Sequence, residues 1–230
     1  MSRVLPILFN GDMVRAILDG RKTVTRRLIE PQPTYSQCDG FTWKGGAYGT
    51  DFPPTIKGAS YNFRCAAPYK IGDILYVKEA WSQLSFGYVY KADGENIDHL
   101  GNVIKWHPSI NMPKEAARIF LCVKDVHVER LQEITEEQAE VEGIRGYSKD
   151  GNLYKYAVTD DWWIDYHNKH RKSFLGTWWQ DMPRTAKDAF PYLWNSTIKK
   201  SDLDRYGWDA NPWVWVIEFE RCEKPEGWCV

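Results

Sequence analysis

Residues 10–28, NGDMVRAILDGRKTVTRRL, carry the strongest pattern in the chain: a short amphipathic helix that runs into a cationic turn. Met13 and Ile17 are spaced i,i+4, as are Val14 and Leu18, so the apolar side chains share one helical face. A helix with one apolar face packs that face against a core. The stretch therefore predicts a helix over 11–19 that is buried on one side and followed directly by a cationic turn.

The ends of this helix carry residue types that begin and stop helices. Asn10 or Asp12 can accept an amide hydrogen bond at its start, and Gly20 suits the left-handed residue beyond its end. The turn holds four cations and two threonines, namely Arg21, Lys22, Thr23, Thr25, Arg26 and Arg27. Helix C-termini favour positive charge, so a solvated cationic terminus and a ligand-binding turn are both open interpretations at this point.

The composition is that of a globular protein with unusually many aromatic residues. The chain has 230 residues, of which 43% are hydrophobic and 27% charged, which excludes disorder and fibrous classes. Twelve Trp and thirteen Tyr can build a core or stack on bases. The formal net charge of −1 excludes attraction of nucleic acid by the protein as a whole, so such binding would need a local basic patch like residues 21–27.

The sequence lacks the patterns of membrane, metal or disulfide proteins. No run of about 18 apolar residues occurs, and the N-terminal apolar segment is too short for a signal peptide, so we expect a cytoplasmic protein without membrane contact. The five cysteines are widely spread without a CxxC pair, and the five histidines show no ligand spacing. We predict no metal, no cofactor and no disulfide framework, and the oligomeric state is open.

The remaining chain predicts a mainly β protein with helices, in the α+β class. Strand patterns cover Val4–Phe9, Val24–Leu28, Ile74–Val77, Tyr88–Lys91, Ile119–Val128 and Trp213–Phe219. Besides the helix over 11–19, further helices are predicted from the capping box Thr135–Gln138 to Gly143 and over 186–198, which contains Pro191. We expect one domain over 1–230, with irregular, aromatic-rich insertions at about 30–69 and 145–182, the second including Trp162, Trp163, Trp178 and Trp179.

Glu142 is unusually placed for a carboxylate. It lies on the last turn of the helix that ends at Gly143, where the helix dipole disfavours negative charge. A cation or a functional need would offset that cost. We therefore predict a partner for Glu142 among the cations of residues 21–27.

Four blocks of this sequence resemble the ASCH domain family. They are the turn GRKTVTRR at 20–27, Gly72–Leu75, Ile134–Ile144 and Val216–Phe219. The blocks WHPSINMP, LWNS and NPWVWVIEF are similar to a longer, Trp-rich form common in phages and prophages. The resemblance implies a PUA-like β-barrel, with a cleft beside the helix over 11–19, and a relation to proteins that bind or modify RNA.

One branch of that family hydrolyses N4-acetylcytidine, and its working groups fall here on Lys22, Thr25 and Glu142. The resemblance thus implies Thr25 as nucleophile, Lys22 as a base whose pKa is lowered by desolvation, and Glu142 as a group that orients the substrate or shuttles a proton. Lys22 and Thr25 would face opposite sides of a regular strand. The pair therefore requires Lys22 to lie in the turn.

The residues predicted to bind substrate are Arg21, Arg26, Arg27, Glu79, Trp81 and Trp106. The arginines would contact phosphate or an oxyanion, and Glu79 follows an apolar strand as a second-choice acid. The tryptophans would stack on a base, although packing in the core explains them equally simply.

Three functions follow as hypotheses. The protein binds RNA or a modified nucleoside in the cleft and hydrolyses it, by N4-acylcytidine amide hydrolysis or RNA cleavage. It binds the same ligands without turnover. Alternatively, it is a non-catalytic phage-type interaction or morphogenesis protein, with its Trp-rich insertions as an interface. Whether it is an enzyme is open, and as an enzyme it would be a hydrolase.

Overall fold

The computed structural model describes residues 2–50, 55–94, 96–148, 151–158 and 182–228. The described strands are β1 Val4–Leu8, β2 Val24–Leu28, β3 Thr34–Ser36, β4 Gly40–Trp43, β5 Gly46–Ala47, β6 Ile74–Lys78, β7 Trp81–Leu84, β8 Gly87–Tyr90, β9 Phe120–Arg130, β10 Arg145–Ser148, β11 Tyr154–Ala157 and β12 Trp213–Cys222. The described helices are α1 Gly11–Leu18, α2 Ile56–Phe63, α3 Glu136–Val141, α4 Ala186–Thr197 and α5 Leu203–Tyr206. The predicted α+β class is confirmed, whereas Trp162, Trp163, Trp178 and Trp179 lie outside the described residues.

The helix α1 begins at Gly11, as predicted, and ends at Leu18, one residue before the predicted end. The Asn10 side chain accepts a hydrogen bond from the Met13 amide at 2.9 Å. Gly20 has a φ of +76°, a left-handed conformation that glycine adopts without steric cost. Beyond it, the Lys22 amide donates to the Ala16 carbonyl at 3.0 Å, which satisfies an acceptor at the helix end. Local capping chemistry thus places the turn directly after α1.

The main sheet has five strands in the order β1-β6-β9-β12-β2. β1 runs parallel to β6, with Val4 opposite Ile74, and β6 runs antiparallel to β9, with Ile74 opposite Cys122. Three smaller sheets contain β3-β4-β5, β7-β8 and β10-β11. Within the described residues, the strands do not close into the barrel expected from the family resemblance.

The chain divides into two compact units. Unit 1 contains Met1–Thr23, Tyr69–Asp125 and Glu218–Val230, and unit 2 contains Val24–Pro68 and Val126–Ile217. The expectation of one domain over 1–230 stays a prediction. In the part of the chain that the structure describes, no helix is long and apolar enough to cross a membrane.

In unit 1, the predicted Gly-Asp turn before β6 is held by the Asp73 carboxylate. It accepts hydrogen bonds from the Lys70 amide at 2.6 Å and from Arg3 Nε at 3.0 Å. Burial opposes ionisation of this carboxylate, but the hydrogen bonds from Arg3 and the Lys70 amide outweigh it and lower the pKa of Asp73. The charged form therefore stabilises the folded state.

Asp73→Asn is expected to change the acid limb of the stability curve. Because the folded pKa of Asp73 is lowered, its carboxylate stabilises the protein above the unfolded pKa of about 4, and this stabilisation is lost as the pH falls through the folded pKa. Between pH of about 5 and 2, the melting temperature of the wild type should fall more steeply than that of Asp73→Asn. The exposed Asp209→Asn is the control, and parallel curves for all three proteins would contradict the prediction.

In unit 2, the described residues 30–50 and 55–68 contribute more to the core than an irregular insertion would. β4 and α2 bring Phe41 and Phe63 into a stack with ring centroids 4.8 Å apart, and both side chains are fully buried. Trp213 lies edge-on to Phe41 at 4.8 Å, and Trp215 lies 4.9 Å from Phe63. The tryptophans of β12 are therefore core residues, as packing predicted, and they cover aromatic rings far away in the sequence.

Candidate functional site

A buried cluster of charges lies in unit 2 around Arg26 of β2. Only 1% of the Arg26 side chain is exposed. Its Nε donates to Glu129 Oε1 at 2.8 Å, and its Nη1 donates to Glu142 Oε1 at 3.1 Å. The predicted partner for Glu142 among residues 21–27 is thus confirmed as Arg26. One guanidinium holds two carboxylates whose side chains are 12% and 3% exposed.

Helix α3 positions Glu142, its C-terminal cap residue. The predicted capping box is present, since Thr135 Oγ1 accepts from the Gln138 amide at 3.2 Å and Gln138 Oε1 accepts from the Thr135 amide at 2.9 Å. At the same end, the Glu136 carboxylate accepts a hydrogen bond from the Lys187 amide at 2.8 Å, in the first turn of α4. Both contacts fix α3, so they also fix the Glu142 carboxylate at its other end.

The cluster favours the ionised form of Glu129. Burial would raise the pKa of Glu129, but hydrogen bonding by His127 and the charge of Arg26 lower it. His127 Nε2 lies 3.7 Å from Glu129 Oε2. On another side, the Arg26 guanidinium carbon lies 5.8 Å from the centroid of the Phe190 ring, an attractive cation–π arrangement. The result is a rigid, water-poor ion-pair network.

Thr25 precedes Arg26 in β2 and is only 2% exposed. Because successive side chains of a strand point to opposite faces, the Thr25 hydroxyl lies on the other face of β2 from Arg26. The structure therefore brings Arg26 and Glu142 into direct contact, and it buries Thr25 on the opposite face of β2. The neighbouring Thr23 is exposed and lies outside β2, since the strand begins at Val24.

Lys22 lies in unit 1, in the turn before β2, so it leaves the strand as the proposed chemistry required. Only 2% of the surface of Lys22 is exposed, which is rare for a lysine. Its Nζ lies 5.8 Å from the ring centroid of Phe9. A buried amine outside the strand is a candidate for a chemical role, and the predicted role of Lys22 as a base is untested.

The two other arginines of the turn are more accessible than Arg26. Arg21 donates to Asp19 Oδ2 at 3.0 Å, and about a quarter of its side chain, 26%, is exposed. Arg27 is half-buried in β2. Their roles as substrate ligands stay predictions. The burial of Arg26 makes it a holder of carboxylates, and its predicted contact with substrate is untested.

Glu79, the second-choice acid, is buried in unit 1 and held by a salt bridge. Arg118 Nε and Nη2 donate to its two oxygens at 2.9 and 3.0 Å, and the same guanidinium reaches Asp93 at 2.7 Å. Burial raises the pKa of Glu79, although Arg118 opposes this shift. A bidentate pair of this kind fixes the strand end after β6.

The two tryptophans predicted to stack on a base have partners within unit 1. Trp81 lies 5.1 Å from the His107 ring and 5.7 Å from the Tyr88 ring. Trp106 Nε1 donates to Asn96 Oδ1 at 3.4 Å. Packing explains both side chains, and their predicted role in stacking stays untested.

Sequence reasoning missed Glu129 and His127 at the end of β9, together with Phe190 of α4. Glu129 and Arg26 are 103 residues apart, and neither belongs to a spaced motif. The available indication was an acidic side chain that follows the apolar residues Val126 and Val128 in a strand pattern, since a buried carboxylate needs a partner. That pattern shows the need for a cation but not which cation meets it.

Comparisons with known proteins add little to this geometry. No protein-family model matches the chain, and no curated protein matches it. A solved structure titled "High resolution crystal structure of ASCH domain from Lactobacillus crispatus JV V101" aligns with 95% of this chain and 79% of that chain, at 10% identity and a TM-score of 0.31. Values this low do not establish a shared fold. The resemblance to the ASCH family therefore rests on the sequence blocks and stays a prediction.

Proposed function

We propose that the turn at residues 20–27 binds a nucleoside with an acylated exocyclic amine, of the N4-acylcytidine class, and hydrolyses its amide. The observation that carries this proposal is burial. Lys22, Thr25 and Glu142, the three residues nominated by the family resemblance, are each no more than 3% exposed. Polar side chains are rarely buried without a structural or functional role, and Lys22 and Thr25 lie three residues apart in the same turn, which favours a site there.

Buried polar side chains are frequent in this turn. Nine polar or charged residues are buried among those that the structure describes; three of them, Lys22, Thr25 and Arg26, lie within residues 20–27, and a fourth, Glu142, binds Arg26. Arg26 and Glu142 neutralise one another, which explains their burial structurally. Lys22 and Thr25 add an amine and a hydroxyl three residues apart along the chain. These are the groups that a hydrolase with a threonine nucleophile needs.

In the proposed reaction, Thr25 Oγ attacks the acyl carbonyl carbon while the neutral Lys22 amine takes the hydroxyl proton. The tetrahedral intermediate collapses with loss of the N4 amine, which takes the proton from the Lys22 ammonium, and an acyl ester of Thr25 forms. The Lys22 amine, neutral again, deprotonates a water molecule that attacks the ester carbonyl; the Thr25 oxygen leaves with the proton from Lys22, so that the hydroxyl is regenerated and the carboxylic acid is released. Arg27 and nearby main-chain amides stabilise the oxyanion.

In this proposal, Glu142 acts from a fixed position. Arg26 holds this carboxylate on the other face of β2 from Thr25, so Glu142 acts on the bound substrate, whose amide it orients, and not on the nucleophile. Arg26 itself is a positioning residue, because its guanidinium is occupied by Glu129 and Glu142.

Lys22→Ala tests the chemistry. Loss of a general base is expected to reduce kcat/KM for N4-acetylcytidine by about 10²- to 10⁴-fold, measured as release of cytidine and acetate. Lys44→Ala, at an exposed hairpin position, is the matched control and should keep full activity. If wild type and Lys22→Ala are equally inactive on acylated cytidines and on single-stranded RNA, hydrolysis is refuted.

Binding of RNA without turnover has its own test. An electrostatic contact predicts affinity that falls as salt rises and weakens on Arg27→Ala. If the affinity for RNA changes neither with the salt concentration nor on Arg27→Ala, binding of RNA by this turn is excluded.

The alternative role in protein interaction is favoured by exposed apolar side chains in unit 1. Phe86, Leu100 and Val103 are 64%, 74% and 82% exposed. A strictly monomeric protein that captures no partner would count against this alternative.

A further inference from the structure

Two thiols of unit 1 lie on neighbouring strands of the main sheet. Cys122 belongs to β9 and Cys222 to β12, and these strands are adjacent in the sheet. Both thiols are half-buried. Their relative position follows from the register of the two strands.

A salt bridge sets that register. Lys124 Nζ of β9 lies 2.6 Å from Glu220 Oε1 of β12. Residue numbers rise along β9 as they fall along β12, since the Leu131 amide donates to the Pro212 carbonyl at 3.0 Å. The strands are therefore antiparallel. Pairing Lys124 with Glu220 places Cys122, two residues earlier in β9, opposite Cys222, two residues later in β12, on the same face of the sheet.

Electrostatics gives an independent indication that the two sulfur atoms are close. Burial raises the pKa of Cys222, and the negative charge that Cys122 would carry raises it further. Both cysteines also act on the charge of Lys124, which lies beside them. Such interactions fall off with distance, so the two thiols share one local environment.

We propose that Cys122 and Cys222 form a reversible disulfide, which makes this strand pair a redox modification site. Opposite residues of antiparallel strands have Cα atoms about 4.5 to 5.5 Å apart, and disulfides accept about 4.4 to 6.8 Å. The bond therefore forms without separating the strands. The cross-link joins β9 to the end of β12, where Cys222 packs against the core cluster that contains Phe120 and Trp228.

The oxidant is a low-molecular-weight disulfide such as oxidised glutathione. The thiolate of one cysteine attacks a sulfur of the oxidant, forms a mixed disulfide and releases one glutathione thiolate. The second cysteine loses its proton, attacks the protein sulfur of the mixed disulfide and releases the second glutathione. Two protein thiols are oxidised and one oxidised glutathione is reduced to two thiols.

The test is peptide mass spectrometry of the full chain after exposure to oxidised glutathione, without reduction. We expect a linked pair of peptides containing Cys122 and Cys222, lighter by two hydrogens, which dithiothreitol separates. The exposed Cys38 and Cys65 serve as internal controls and should carry glutathione instead. Cys222→Ser should leave Cys122 with a stable glutathione adduct.

Two results would overturn the proposal. One is that Cys122 and Cys222 stay reduced or carry glutathione separately, while Cys38 and Cys65 react. The other is a link from either cysteine to a different cysteine, such as Cys229. Because the decisive measurement uses the wild-type protein, a variant that fails to fold leaves the conclusion intact.

Discussion

Replacing Arg26 with methionine is expected to lower the free energy of unfolding by about 3–5 kcal/mol. Methionine has about the volume of the aliphatic part of the Arg26 side chain, but it lacks the guanidinium that binds Glu129 and Glu142. Two carboxylates then remain in a poorly solvated environment without their cation. Removing one partner of a buried ion pair is costlier than removing the whole pair, because the remaining charge has lost its compensation.

Denaturant unfolding and thermal melting measure this effect, and for a chain of this length the melting temperature should fall by roughly 6–20 °C. Arg21→Met is the matched control, because Arg21 is partly exposed and pairs with Asp19 at the surface; its loss should stay within about 1 kcal/mol.

The double variant Arg26→Met/Glu142→Gln should recover part of the Arg26→Met loss, since it removes a stranded charge. Equal losses for Arg26→Met and Arg21→Met would contradict the assignment of Arg26 as the holder of the cluster.

Thr25→Val is expected to lower the hydrolysis of N4-acetylcytidine by about 10³-fold or more, because it removes the proposed nucleophile while the shape of the side chain is retained. Thr25 is buried, so the change also removes a polar atom from a water-poor position and should leave the strand packing intact. The expected loss is in kcat, and the affinity for the nucleoside should change much less.

Thr23→Val is the matched control, since Thr23 lies two residues earlier in the same turn and is exposed. Its activity should equal that of the wild type. A burst of cytidine release with an acyl group trapped on Thr25 would be direct evidence for the covalent step. Similar activities for Thr25→Val, Thr23→Val and the wild type would refute the nucleophile, even if the protein binds the nucleoside.

Much of the local structure was predictable because its causes lie close together in the sequence. Asn10 and Gly20 delimit α1 through a hydrogen bond and a left-handed residue, both of which act within a few positions. The capping box of Thr135 and Gln138 starts α3 in the same way. The alternation of Trp213 and Trp215 predicted the core strand β12.

The candidate site was predictable in part. Residues 20–27 and Glu142 were recognisable from a sequence motif and from a carboxylate at an unfavourable helix end, and the pair of Arg26 with Glu142 met that expectation. Glu129 and Phe190 could not be predicted, since no local pattern relates them to Arg26. Their contacts depend on which strand and helix the fold places beside β2.

The aromatic core of unit 2 shows the same limit. Phe41 and Phe63 stand in segments whose glycines and prolines indicate turns, so the local pattern predicts irregular structure. Their burial comes from Trp213 and Trp215, about 170 and 150 residues further along the chain, which cover them from β12.

At Asn10–Leu28, the amino-acid order alone accounts for the helix, its two ends and a turn with four cations, because capping and periodicity act over a few residues. The surroundings of those cations were decided by the folded chain. Arg26 is enclosed by two carboxylates, Arg21 stays at the surface, and Lys22 is buried outside the strand. A cation's surroundings depend on residues up to more than a hundred positions away, which only long-range packing brings into contact.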